Sequence, residues 1–89
     1  MRYMIIEHFH KNRVKELYAK FDKEGRLLPE GVEYIDSWID EKVETCYQLM
    51  ESESTELLQE WCRRWERYAK FQIVPIISSE EARKKVLNT

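Results

Sequence analysis

Two histidines near the N-terminus, His8 and His10, have a spacing that could support metal binding. Residues two apart in a β-strand point to the same face, so both imidazoles could reach one metal ion if a carboxylate joined them. The spacing fixes no third ligand, and His10 directly precedes a charged segment. A His-x-His pair in this setting is more typical of a solvated strand end, so we predict no metal site and no cofactor.

A second group consists of Tyr34, Asp36 and Trp38, which alternate along a segment rich in β-branched and aromatic residues. The alternation predicts that the three side chains share one face of a strand, where they would supply an aromatic wall and a carboxylate base. The simpler interpretation is an edge strand with a half-buried row of aromatic side chains. Together with His8 and Gln48, these residues form the predicted pocket.

Gln48 carries an amide in the middle of an otherwise apolar strand segment. If this amide is buried it needs a hydrogen-bond partner, which could be a ligand, a water molecule or a second copy of the chain. The two cysteines, Cys46 and Cys62, are not expected to act as nucleophiles, because no base is placed near either of them. A chain with only two glycines has no Gly-rich phosphate-binding loop.

Four segments have the composition of β-strands, namely residues 2–9, 32–39, 43–50 and 71–77. The second and third are separated only by Asp40, Glu41 and Lys42, which indicates a hairpin. Pro75 in the fourth segment removes one donor from the hydrogen-bond ladder and favours an edge position.

Three helices alternate with these strands. Asn12 is the predicted N-cap of the first and Gly25 its end, while Ser52 or Ser54 opens the second. In the second helix a continuous stripe faces the sheet, whereas Arg63 and Arg67 point away. The stripe comprises Leu57, Leu58, Trp61, Cys62, Trp65, Tyr68 and Ala69. Its two tryptophans are therefore predicted to be core residues. A capping box, Ser78 and Glu81, opens a third helix that runs to about Leu87.

This order of elements predicts an α+β protein with the ferredoxin-like βαββαβ fold. Residues 1–89 would form a single domain with a four-stranded antiparallel sheet, two helices on one face and a short C-terminal helix. Apolar residues occur on both faces of the strands, although an antiparallel sheet with one wet face should alternate cleanly. We therefore predict a homodimer packed sheet against sheet, with Met4, Ile6, Val74 and Ile76 as candidates for the dimer face. Alternation alone does not show which face meets the helices.

Charge and hydropathy narrow the functional classes. Fifteen Lys and Arg against seventeen Asp and Glu give a net charge of -2, which argues against nucleic-acid binding. The apolar stretch from Tyr3 to Ile6 is far too short for a signal peptide or a membrane span. We predict a cytoplasmic protein that interacts with neither nucleic acid nor membrane.

Several short motifs, in this order and spacing, resemble the small bacterial proteins of domain-of-unknown-function family 3303. They are the first strand centred on Met4, the segment Pro29 to Val32, Trp38, the segment Leu49 to Glu51, Trp61, Trp65, and the segment Phe71 to Pro75. The resemblance covers nearly the whole chain and implies a dimeric α+β barrel, in which two ferredoxin-like subunits pack sheet against sheet around a cavity. It implies no particular activity.

Two functional hypotheses follow. The first is a homodimeric module that binds a small hydrophobic or aromatic molecule, or another partner, without catalysis. The alternative, which the resemblance suggests, is a cofactor-independent monooxygenase or isomerase with His8 or Asp36 as base and Tyr34 or Trp38 positioning a ring. The sequence does not decide whether the protein is an enzyme.

Overall fold

A computed structural model describes residues 1–88 as four strands and three helices. The elements are β1 (Arg2–Phe9), α1 (Val14–Glu24), β2 (Val32–Ile39), β3 (Thr45–Ser52), α2 (Thr55–Trp65), β4 (Ala69–Pro75) and α3 (Ser79–Leu87). All strand pairs are antiparallel, and the strand order is β2-β3-β1-β4. This confirms the α+β ferredoxin-like fold, and it places β4, with Pro75, at an edge of the sheet.

The helices α1 and α2 cover one face of the sheet, and the hydrophobic core lies between these two layers. On β1 the core face carries Tyr3 and Ile5, and on β3 it carries Met50. Leu17 of α1 and Leu58 of α2 pack against them. Burial of each such side chain stabilises the fold by roughly 1.5 to 3 kcal/mol. We call this the covered face, and the opposite side of the sheet the open face.

Trp61, Cys62 and Trp65 lie in the same core, with 2%, 9% and 4% of their surfaces exposed. The prediction that the two tryptophans face the sheet is therefore confirmed. Arg63 of α2 and Arg67, which follows this helix, were predicted to point away from the sheet, and both are exposed.

A β-bulge in β2 overturns the prediction that Tyr34, Asp36 and Trp38 share a face. Tyr34 pairs with Met50, and Asp36 pairs with Leu49, the residue directly before Met50 in β3. Ile35 is therefore an extra residue in β2 with no partner position in β3. Because one inserted residue reverses the alternation, Tyr34 lies on the covered face and Asp36 with Trp38 on the open face.

The β2–β3 hairpin is longer than predicted, and β3 begins at Thr45 rather than at residue 43. Oδ1 of Asp40 accepts hydrogen bonds from the backbone N–H of Glu44 at 2.8 Å and of Thr45 at 2.6 Å. These bonds lower the pKa of the Asp40 carboxyl. Val43 has a left-handed φ of 57°. Val43, a strand-forming residue type, and Glu44 therefore belong to a turn that is organised by one aspartate.

Helix boundaries depart from the sequence signals at two places. The predicted stripe of α2 included Tyr68 and Ala69, but α2 ends at Trp65, and β4 runs from Ala69 to Pro75 rather than over residues 71–77.

The second departure is the start of α1. Arg13, not Asn12, is the N-cap of α1, and no side chain caps this helix end. Gly25 ends α1 with a φ of 73°, which glycine adopts without strain. Ser54 caps α2 through the backbone N–H of Leu57.

The capping box predicted for α3 is present. The Ser78 hydroxyl accepts from the backbone N–H of Glu81, and the Glu81 carboxylate accepts from that of Ser78. None of the residues of α3 is buried. Among residues 1–88, no helix combines the length and apolar character that a membrane crossing requires.

Candidate functional site

The predicted pocket residues lie on opposite faces of the sheet. Tyr34 and Gln48 face the helices, whereas Asp36, Trp38 and His8 are exposed on the open face. Trp38 has 53% of its surface exposed and lies opposite Tyr47 on the neighbouring strand. The five residues therefore do not form a single pocket within one chain.

A cavity of about 100 Å³ lies between the covered face and the two helices. Its walls are mainly aromatic and aliphatic, with a few polar groups. The lining residues are Glu7, Phe9, Leu17, Tyr18, Phe21, Arg26, Ser37, Ile39, Cys46, Gln48, Trp61 and Trp65. Concave, largely apolar sites with a few convergent polar groups are typical of small-molecule binding.

Glu7 and Gln48 place a carboxyl and an amide in this cavity, each with 5% of its surface exposed. Glu7 pairs with Cys46 across β1 and β3, so Gln48 is its diagonal neighbour on the same face. The Gln48 side-chain amide donates a hydrogen bond to Oε1 of Glu7. The partner that Gln48 was predicted to need is thus another side chain of the same chain.

Arg26 completes a polar chain that runs Arg26, Gln48, Glu7. Its Nε donates to Oε1 of Gln48 at 3.3 Å. The guanidinium carbon lies 3.5 Å from the ring centre of Tyr34 and 4.9 Å from that of Phe21. Stacking between these two rings offsets part of the loss of hydration of the cation.

The loop that carries Arg26 is fastened to α2. The indole N–H groups of Trp61 and Trp65 both donate to the backbone carbonyl oxygen of Arg26, at 2.8 and 2.9 Å. Arg64 donates to the carbonyl oxygen of Leu27 at 2.6 Å. The two tryptophans therefore do more than fill the core, because they also fix the position of the Arg26 backbone beside the cavity.

Burial raises the pKa of the Glu7 carboxyl to about 7, while the positive charge of Arg26 acts in the opposite direction. A carboxyl removed from water resists ionisation, and here the loss of hydration outweighs the attraction to the guanidinium. Glu7 therefore exchanges its proton near neutral pH. A buried carboxyl of this kind in a cavity is typical of functional sites.

The two cysteine thiols are unreactive at neutral pH. Cys46 and Cys62 are buried and not disulfide-bonded. Burial, and next the nearby Glu7, raise the pKa of each thiol to about 12. Both stay protonated at neutral pH, and a protonated thiol is a poor nucleophile. Within residues 1–88 there is also no cluster of three or more His, Cys, Asp or Glu side chains arranged to hold a metal ion.

Glu7 and Arg26 were both absent from the predicted pocket. A signal for Glu7 exists in the sequence, since it shares the strand parity of Tyr3, Ile5 and Phe9, so that a carboxyl interrupts an apolar face. Arg26 gives no comparable signal. It belongs to a loop, and only the packing of that loop against α2 brings it to the cavity.

The whole chain, residues 1–89, matches the model of the family described as domain of unknown function (DUF3303), and the protein belongs to this family. No curated protein and no solved structure matches the chain.

Proposed function

For this member of an uncharacterised family, we propose a homodimeric protein that binds a small molecule in the cavity between sheet and helices. The observation that carries the proposal is the Glu7 carboxyl, buried among aromatic side chains and hydrogen-bonded to Gln48. A polar chain of this kind is a poor device for stability, because apolar side chains would fill the same space without loss of hydration. Its position in a cavity instead favours ligand recognition.

The three tryptophans provide a direct test of binding. Trp61 and Trp65 line the cavity, whereas Trp38 lies on the open face. Small ring compounds added to ¹⁵N-labelled protein should shift the indole N–H signals of Trp61 and Trp65 and leave that of Trp38 in place. Native mass spectrometry of freshly purified protein would show whether a small molecule is retained. Shifts confined to Trp38 would contradict the proposed cavity.

The homodimer is supported by the open face. Met4, Ile6 and Val74 lie on this side of the sheet and are half-buried, and Ile76, which directly follows β4, is half-buried as well. The exposed Trp38 and Tyr47 extend the same surface. Apolar side chains on an otherwise uncovered sheet face favour pairing with a second copy, which would bury them symmetrically.

A charge on this face should separate the subunits. We expect Ile6→Glu and Val74→Glu to give monomers in analytical ultracentrifugation under conditions where the unmodified protein is a dimer. Val43→Glu, in the exposed hairpin, is the matched control and should not change the mass. Circular dichroism would show that each variant is folded. A dimer unchanged by both substitutions would contradict the proposed interface.

We also propose a reducing compartment, the cytoplasm, as the location of the protein. Two buried cysteines that form no disulfide support this assignment.

A cofactor-independent isomerase or monooxygenase is the second candidate, and Glu7 is the observation that favours it. The bases first considered, His8 and Asp36, are exposed on the open face, whereas the Glu7 carboxyl lies in the cavity and exchanges its proton near pH 7. Such a base could move a proton within a bound carbonyl compound. Deuterium exchange of 2,4-pentanedione, followed by NMR, should then be faster with the unmodified protein than with Glu7→Gln. Equal rates would remove this candidate.

A further inference from the structure

The two charged groups at the cavity oppose each other in sign. The Arg26 guanidinium contributes a fixed positive charge, and Glu7 contributes a negative charge when ionised. A cationic ligand would be repelled by Arg26, and an anionic ligand would be repelled by ionised Glu7. In either case the charged ligand would also lose its hydration on entering the cavity. A neutral molecule avoids both repulsions.

The hydrogen bonds leave one acceptor position open. Within residues 1–88, Oε1 of Glu7 accepts from Gln48, and no side chain or backbone group donates to Oε2. Gln48 in turn uses its amide oxygen to accept from Arg26. An ionised carboxylate is an acceptor with two oxygens, so the group that complements this site is a hydrogen-bond donor.

The side chains that line the cavity favour an aromatic ring as the apolar part of the ligand. Phe9, Phe21, Trp61 and Trp65 contribute aromatic surface around the carboxyl. Flat rings pack against such walls by stacked or edge-to-face contacts. In another protein an apolar cavity of about 150 Å³ accepts benzene. The present cavity is smaller, at about 100 Å³, and partly open to solvent, so a bound ring would extend toward the opening and a second ring would have no room.

We infer that the ligand is a small neutral aromatic molecule with a hydroxyl group, a simple phenol, whose O–H donates to Oε2 of Glu7 while its ring packs against Trp61 and Trp65. This inference rests on the proposed binding function and specifies the chemistry of the ligand. It assigns Glu7 as the residue that distinguishes a phenol from a plain hydrocarbon ring.

Binding should depend on pH through Glu7. The ionisable groups that face its carboxyl are Arg26 from the α1–β2 loop, Tyr18 from α1, Cys46 from β3 and Cys62 from α2. Burial raises the pKa of Tyr18 and of both cysteines above their ordinary values. Glu7 is therefore the group among these that changes charge between pH 6 and pH 8. An ionised carboxylate accepts a stronger hydrogen bond than a protonated one, so affinity for phenol should rise over this range.

Phenol and toluene, which have nearly the same shape, separate the hydroxyl from the ring. Both would be titrated at pH 6 and pH 8, with the Trp61 and Trp65 indole signals as readout. At pH 8 we expect phenol to bind about tenfold more tightly than toluene, the difference that one hydrogen bond to a charged group supplies. At pH 6 the difference should fall to about threefold or less. Phenol itself, with a pKa near that of tyrosine at about 10, stays neutral throughout.

Two variants complete the experiment. Glu7→Gln keeps the shape of the side chain but cannot ionise, so it should reduce the preference for phenol to about threefold or less at both pH values and remove its pH dependence. Glu41→Gln, an exposed glutamate in the hairpin, is the matched control and should bind like the unmodified protein. An unchanged NMR spectrum away from the cavity would show that each variant is folded.

The outcomes distinguish the two levels of the proposal. Equal affinity for phenol and toluene at pH 8, or a tenfold phenol preference that is unchanged in Glu7→Gln, would overturn the assignment of the hydroxyl and leave the binding function standing. Failure of both compounds to shift the Trp61 and Trp65 signals at millimolar concentration would overturn the ligand class and the binding function together.

Discussion

The two faces of the sheet differ in what they do with polar and apolar side chains. The covered face buries three polar residues, Glu7, Gln48 and Ser52, beneath a pair of helices. The open face leaves large apolar residues such as Trp38 and Tyr47 in solvent, with 53% and 40% of their surfaces exposed. Each face departs from the usual arrangement of polar and apolar groups, and the two departures point to different functions.

The covered face has the features of a ligand site, and the open face has those of an interface. A buried carboxyl is unfavourable for stability unless something is gained at that position, which favours a chemical role for the covered face. Exposed aromatic residues on a regular sheet are unfavourable for solubility unless another surface covers them, which favours an assembly role for the open face. One four-stranded sheet can therefore serve both roles, because successive side chains of a strand alternate between them.

The largest expected effect is on the covered face. Ile5 is fully buried at the centre of the core, and Ile5→Ala should lower the free energy of unfolding by about 2 to 5 kcal/mol, since it leaves a cavity among packed side chains. Urea denaturation at micromolar protein concentration would measure the loss.

Ile6→Ala removes the same atoms from the next residue, which lies on the open face and is half-buried. We expect less than about 1 kcal/mol for the protomer. The loss should increase with protein concentration if this face forms a dimer, because mass action couples dimerisation to stability. Equal losses at the two positions under dilute conditions would contradict the distinction between the faces.

The next-largest expected effect is the change of unfolding free energy with pH. The pKa of Glu7 is about 7 in the folded protein, against an ordinary value of 4.5 for a glutamate side chain in water. A carboxyl whose pKa is raised on folding stabilises the native state below the unfolded pKa, and this contribution is lost as pH rises through the folded value. Between pH 4.5 and pH 8 the loss attributable to Glu7 is about 3 kcal/mol.

Glu7→Gln tests this assignment, because an amide does not titrate. The difference in stability between the variant and the unmodified protein should shift in favour of the variant by about 2.5 kcal/mol from pH 5 to pH 8. Urea denaturation of both proteins at several pH values would measure it. Parallel pH profiles would mean that Glu7 ionises normally, and hence that its carboxyl is more exposed to water than 5% of the residue surface.

Local signals in the sequence predict the fold well. The limits of β1 and β2, the Gly25 helix end, the Ser78 capping box and the edge position implied by Pro75 are all set by neighbouring residues. The predicted bounds of β3 and β4 were each wrong by about two residues. At the start of β3 the reason is that the turn depends on hydrogen bonds accepted by the Asp40 side chain, which residue types alone do not show.

The candidate site was predicted less well, for two physical reasons. The bulge at Ile35 reverses the alternation of β2, so Tyr34 and Trp38 lie on opposite faces. Arg26 reaches the cavity only because Trp61 and Trp65 hold its backbone carbonyl. Both features depend on pairing and packing between segments distant in the chain, which a strand pattern does not encode. Glu7 alone could have been found, as a carboxyl in an apolar row.

The smallest expected changes in unfolding free energy come from substitutions at helix N-caps. They distinguish a helix that covers the sheet, α2, from one that does not, α3. Ser54 caps α2, which packs on the covered face, and Ser54→Ala should cost about 1 kcal/mol of unfolding free energy, since an N-terminal donor of the helix loses its partner. Ser78 caps α3, whose residues are all at least partly exposed.

Ser78→Ala should therefore fray α3 without destabilising the rest of the domain, and the global unfolding free energy should change by less than about 0.5 kcal/mol. Amide hydrogen exchange would separate the cases, with faster exchange confined to α3 for Ser78→Ala and spread through α2 and its neighbours for Ser54→Ala. A global loss from Ser78→Ala equal to that from Ser54→Ala would show that α3 is packed against another surface, and the second subunit of the proposed dimer would then be the first place to look for it.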